Sequence, residues 1–97
     1  MTSLIWSPRA IRDLESIRDY IALDSPAYAE LVVRRLVQAV ERLSVFPKSG
    51  RMVPERNSPA IREIIAGPYR IVYRQREELV EIVTVFRGSR SFPDVIQ

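Results

Sequence analysis

Between Pro8 and Leu23 the apolar residues Ile11, Leu14, Ile17 and Ile21 recur at steps of three and four, with Arg12, Asp13, Glu15, Arg18 and Asp19 between them. That spacing lays one apolar stripe along a charged helix. Ser7-Pro8 supplies its start, since a serine hydroxyl can accept from an orphan N–H and proline's fixed φ suits a first turn. Asp24-Ser25-Pro26 repeats the signal. Ala29, Val33, Leu36, Val40 and Leu43, widened by Val32 and Val37, then form a second stripe that Pro47 ends. Two helices joined by so short a link predict an antiparallel hairpin.

The rest of the pattern is strand-like. Leu4-Ile5-Trp6 is a short apolar run ahead of the first helix, and Ile61 to Ala66, Tyr69 to Arg74 and Leu79 to Phe86 are separated by Gly67-Pro68 and by Gln75 to Glu78. Those separations suit successive antiparallel hairpins. The predicted fold is therefore one α+β domain over 1–97: an N-terminal strand, an antiparallel helical hairpin, then a three-stranded antiparallel meander. Pro47 to Pro59 holds three prolines and a glycine without sustained periodicity, and reads as an ordered but irregular crossing loop. Tyr69, Ile71 and Tyr73 face one way and Arg70, Val72 and Arg74 the other, so one sheet face can take the helices while its opposite displays arginine. From Phe86 onward the chain is expected to extend the last strand briefly and end as a mobile tail.

Composition narrows the chemistry. A chain of 97 residues has room for one domain. It has no cysteine and no histidine, which removes disulfides, thiolate catalysis, thiolate-bound metal and the usual general base. No metal and no cofactor are expected. No apolar run reaches the roughly 18 to 20 residues needed to span a bilayer, and the first residues lack the pattern of a secretory leader, so a cytoplasmic protein is expected. Lys and Arg together number 15 against 12 Asp and Glu, for a net charge of +3. The excess lies late in the chain: from Pro47 to Arg76 only Glu55 and Glu63 oppose Lys48, Arg51, Arg56, Arg62, Arg70, Arg74 and Arg76.

The order of elements and several local strings resemble the ParE/RelE superfamily of small bacterial toxins, the toxic half of type II toxin–antitoxin modules. The strings are Trp6-Ser7-Pro8 with Ala10, Asp13-Leu14, Ile17 and Tyr20-Ile21; Leu43, Phe46-Pro47, Gly50-Arg51 and Glu55; Ile61-Arg62-Glu63; Tyr69-Arg70-Ile71-Val72-Tyr73-Arg74; and Val83, Val85-Phe86 leading to Arg90. The resemblance implies two activities on one fold. RelE-like members cut messenger RNA in the ribosome, and ParE-like members poison DNA gyrase without known enzymatic chemistry.

RNA cleavage needs a group to take a proton, a group to return one, and positive charge on the phosphate. Arginine stays protonated, and the carboxylate beside the basic loop is Glu55, a weak base at its ordinary pKa. The RelE branch usually carries a late Tyr or a His-Tyr pair, whereas here the corresponding stretch is Val85-Phe86-Arg87-Gly88 and no Tyr or His follows Tyr73. The expected function is thus a ParE-like gyrase inhibitor causing growth arrest, of the kind found in plasmid stabilisation. Its target-binding residues would be Arg51, Arg62, Arg70, Arg74, Arg87 and Arg90. The alternatives are a RelE-like endoribonuclease, with Glu55 surrounded by Arg51, Arg62, Arg70 and Arg87 as its catalytic set, and an inactive member serving complex formation and operon autoregulation. Arg12, Arg18, Arg34, Arg35, Arg42 and Arg76 read as solvated surface charge. Trp6, Tyr20 and Tyr28 read as packing residues.

The resemblance also implies the partners: DNA gyrase as target, and a cognate ParD-like antitoxin whose acidic, disordered C-terminal segment folds over the toxin in a hetero-oligomer. Operator DNA would be reached only through the antitoxin. A basic toxin fits such a partner electrostatically.

Overall fold

The computed structural model describes residues 2–94. Strand β1 (Ser3–Trp6) leads into helices α1 (Pro8–Ala22) and α2 (Pro26–Glu41), followed by a single 3₁₀ turn at Arg42–Ser44. Strands β2 (Arg51–Met52), β3 (Ile61–Ala66), β4 (Tyr69–Arg76) and β5 (Leu79–Arg87) complete it. The α+β class, the helical hairpin and the meander are as the periodicity predicts. Both helix starts use the expected serines: Ser7 Oγ accepts from Ala10 N–H and Ser25 Oγ from Tyr28 N–H. No helix among the described residues is long and apolar enough to cross a membrane.

All five strands form one sheet in the order β1-β5-β4-β3-β2. Two features go beyond the sequence expectation. The stretch read as an irregular loop contains an edge strand, with Arg51 opposite Glu63 and Met52 opposite Arg62. The N-terminal strand also joins the meander, pairing parallel to β5 from Ser3–Leu79 to Trp6–Ile82. The β4–β5 hairpin closes in two residues, with Glu77 at φ +37, so Gln75 and Arg76 belong to the strand instead of the turn. Gly67 at φ +57 makes the β3–β4 turn, where a residue without Cβ takes a left-handed backbone at no steric cost.

The helices cover the tyrosine face: Tyr69, Ile71, Tyr73, Val80, Ile82 and Val85 pack with Ala10, Leu36, Val40 and Leu43. On the opposite face Val72, Val83, Ile61 and Phe86 form a second small core with Val53 from the loop and Phe92 from the tail. Tail residues 95–97 lie outside the described residues.

A register shift between Val72 and Tyr73 puts an extra residue into β5. The backbone groups a bulge frees need partners. The start of α1 supplies them. Ser7 Oγ donates to Val83 C=O at 2.9 Å, and the Asp13 carboxylate accepts from Val85 N–H at 3.1 Å and from the Thr84 hydroxyl. The Trp6-Ser7-Pro8 and Asp13 strings therefore fasten α1 to the sheet.

Candidate functional site

The second core is roofed by charge. Glu63 on β3 is 1% exposed, yet it is ionically satisfied: Arg51 Nε donates to one carboxylate oxygen at 2.7 Å and Arg70 Nε to the other at 2.6 Å. The terminal nitrogens of Arg70 meet both oxygens of Glu55 at 2.8 and 3.0 Å, the bidentate geometry that fits a guanidinium to a carboxylate. The Arg70 guanidinium also lies 5.2 Å from the Phe86 ring and 5.4 Å from Phe92, which themselves meet edge to face. Two arginines and two glutamates thus form a locally neutral network that ties the loop to β2, β3 and β4. The Arg70 hydrogen bonds hold the Glu55 carboxyl down to about 2 from an ordinary 4.5, and the same pairing pushes Arg70 up.

Arg62, one residue from Glu63, faces the other way. Its NH1 donates to Gly50 C=O at 2.9 Å, while its Nε is buried without a partner among the described residues. Beside it Tyr73 is fully buried; its hydroxyl donates to Pro47 C=O at 2.7 Å and accepts from Gly50 N–H at 3.0 Å. Burial pushes the Tyr73 phenol up, against the opposing pull of the Gly50 N–H and the Arg62 charge. Gly50 is required by this close approach, because a Cβ there would stand 2.6 Å from both Glu63 O and Tyr73 Oη.

The remaining predicted arginines lie elsewhere. Arg74 sits 4.0 Å from Glu81. Arg87, at the end of β5, has its guanidinium 5.9 Å from the Tyr69 ring and stands between two grooves. One runs between α1 and the tail, lined by Arg9, Asp13, Ile17, Tyr20, Val85 and Arg90 among others. The other runs between α2 and the β3–β4 hairpin, lined by Tyr28, Arg35, Ile65 and Pro68 among others. Tyr20 and Tyr28, read from sequence as packing residues, are 74% and 52% exposed at the tip of the helical hairpin.

The six predicted target-binding arginines therefore occupy several places. Arg51 and Arg70 meet through Glu63, Arg62 lies on the reverse face, Arg74 stands apart, and Arg87 and Arg90 share a groove. Sequence reasoning missed Glu63, Arg9, Tyr20 and Phe92. Only Glu63 left a signal: it shares its strand phase with the apolar Ile61 and Ile65, and a carboxylate in an inward phase demands a cation. Among the described residues no group of three or more Asp or Glu could hold a metal ion.

A two-helix hairpin packed on a five-stranded mixed sheet defines a small α+β domain. Comparison with known proteins makes the class specific. Residues 4–92 match the family model described as the ParE toxin of the type II toxin–antitoxin system, parDE, and the chain belongs to that family. It is 35% identical to "Toxin RelE2" of Caulobacter vibrioides over 93% of this chain and 99% of that one. It is 39% identical to "Putative toxin Y4kP" of Sinorhizobium fredii over 94% and 93%. Among solved structures it resembles a chain of the chromosomal ParDE system from P. aeruginosa, with TM-score 0.75, 28% identity, and coverage of 90% of this chain and 96% of that one.

Proposed function

We propose that this chain acts as a toxin by occupying its target, DNA gyrase, instead of cutting RNA, and that a ParD-like antitoxin with an acidic extended segment neutralises it. The observation that carries this reading is the state of Glu55. Its carboxylate is gripped by Arg70 on both oxygens and held down to about 2, the opposite of what a general base near neutral pH requires. The Tyr73 hydroxyl, the other proton carrier near Arg62, is committed to Pro47 and Gly50. The cations are fixed and these two proton carriers are engaged, which favours binding over catalysis. The antitoxin part rests on family membership and on charge complementarity to the exposed arginines.

The test is to express the chain without antitoxin and assay gyrase supercoiling and cleavage complexes beside transcript cleavage. The reading expects impaired supercoiling with intact transcripts. Cut ribosome-bound transcripts, with cutting lost in Glu55→Gln, would replace it with the ribonuclease. Absence of growth arrest would replace it with the inactive, complex-forming member.

A further inference from the structure

The outer edge of β1 has a fixed hydrogen-bonding phase. Ser3 N–H donates to Glu78 C=O and Ser7 N–H to Ile82 C=O, so the odd-numbered residues of this stretch bond to β5. Alternation along a strand then turns the main-chain groups of Thr2, Leu4 and Trp6 away from the sheet. Thr2 follows that rule, since its N–H donates outward to Ser44 C=O. The N–H and C=O groups of Leu4 and Trp6 have no backbone partner among the described residues.

This edge also lacks the devices that commonly block strand pairing. Ser3-Leu4-Ile5-Trp6 carries no charge, no proline and no bulge, whereas β2 at the opposite edge is only two residues long and holds Arg51. Leu4 and Trp6 pack against the main core, while Ile5 points to the other face and is 46% exposed. Val45 and Phe46, next to Ser44, are exposed as well. The margin is uncharged and partly apolar, which suits a strand of the same character.

β1 is such a strand. Set antiparallel against its own copy with Ile5 opposite Ile5, it brings Leu4 opposite Trp6 on both sides of a two-fold axis. These are bonded pairs that each exchange two N–H···O=C bonds, so every outward group of Leu4 and Trp6 is satisfied in both copies. The two Ile5 residues form the closer, non-bonded pair between them and cover each other's side chains. Neighbouring registers fail. A shift one way sets Trp6 against Thr2, whose N–H is taken by Ser44, and a shift the other way sets Leu4 against Pro8, which has no N–H.

We propose that β1 pairs antiparallel with β1 of a second copy about a two-fold axis at Ile5, joining two five-stranded sheets into one with both helical hairpins on the same face. Four residues span only about 13 Å, so the dimer is a weak one, with Kd of about 0.1 mM. Neither gyrase nor an antitoxin enters the proposal, so it stands or falls apart from the functional reading.

Sedimentation equilibrium of the full chain alone, from about 10 μM to about 1 mM, should show a monomer–dimer equilibrium. At the upper concentration, a filtered NOE in a mixture of ¹³C-labelled and unlabelled chain should join the Ile5 Hα of one copy to that of the other. A non-bonded antiparallel pair brings its Cα atoms to about 4.5 Å, with the two Hα atoms between them. Ile5→Lys sets like charges opposite each other and should weaken association about tenfold or more. Ile65→Lys, at another exposed strand position, should leave it unchanged. Far-UV circular dichroism confirms that both variants are folded. A chain that stays monomeric at about 1 mM, an intermolecular contact elsewhere in place of the Ile5 pair, or a dimer as tight in Ile5→Lys as in the wild type would overturn the proposal.

Discussion

Replacing Arg70 by Met keeps most of the aliphatic stem against Phe86 and Phe92 while deleting the guanidinium, and so isolates the charge. Glu63, whose side chain has no exposure, would keep only Arg51. Removing one partner of a buried ion pair typically costs about 3–5 kcal/mol. Arg51 is 61% exposed and still bonded, so it holds part of the charge and admits water, which lowers the expected loss to about 2–3 kcal/mol. For a domain of this size that corresponds to a fall in Tm of roughly 8–24 °C. Adding Glu63→Leu to Arg70→Met should recover much of the loss, because an apolar replacement of the whole buried pair removes the stranded carboxylate. Urea unfolding of the wild type, both single variants and the double variant closes the cycle. A loss below about 1 kcal/mol for Arg70→Met, or a double variant no more stable than Arg70→Met, would refute the view that Glu63 depends on Arg70.

The same variant should release Glu55, whose carboxyl would titrate near its ordinary 4.5 instead of about 2, as followed by ¹³C NMR. Because the folded value lies below the ordinary one, the wild-type contribution of this partly exposed pair is fully present above about pH 4.5 and fades as pH falls toward 2, a dependence Arg70→Met should abolish. Asp13→Ala removes the acceptor of Val85 N–H, two residues past the bulged Val83, and should lower stability by about 1–3 kcal/mol in urea unfolding. Tyr73→Phe, which leaves Gly50 N–H without its buried acceptor, should cost a similar amount by the same measurement, roughly 1–3 kcal/mol. Gly50→Ala should destabilise through contact with the Glu63 backbone and the Tyr73 ring, so that its urea midpoint falls below that of Gly67→Ala, whose added methyl meets only open space and strains the backbone alone.

What the sequence made legible were the features with a period. The two helical stripes, their serine and proline starts and the three long strands all emerge from spacings of three, four or two, and each lies within a few residues of its predicted bounds. What it hid were choices made across space. The pairing of β1 with β5 joins segments some 76 residues apart, as in the Ser7–Val83 bond, and no local pattern specifies which edge a short apolar strand will take. Strand β2 is two residues long and carries no period at all. Arg70 fell in the polar phase of its strand and read as a displayed cation. Its side chain is instead 11% exposed, because Val53 from the aperiodic loop and Phe92 from the tail close over that face. Tyr20 and Tyr28 failed in the opposite sense, since the tip of the helical hairpin leaves them outside the core.

The excess of arginine in the second half of the chain therefore does not translate into a field of equal strength over that half. Arg51 and Arg70 are neutralised by Glu55 and Glu63, Arg74 stands opposite Glu81, and Arg62 is held by a carbonyl, so most of the apparent surplus is internal structure. Arg87 and Arg90 have no ion-pair partner among the described residues, are exposed, and line one groove beside the end of β5. This separates two kinds of experiment that the sequence alone would merge. Reversing Arg70 puts a third carboxylate against Glu55 and Glu63, and reports on folding whatever the target is. Reversing Arg87 and Arg90 touches exposed charge on a finished scaffold, so a change in binding there reports on recognition.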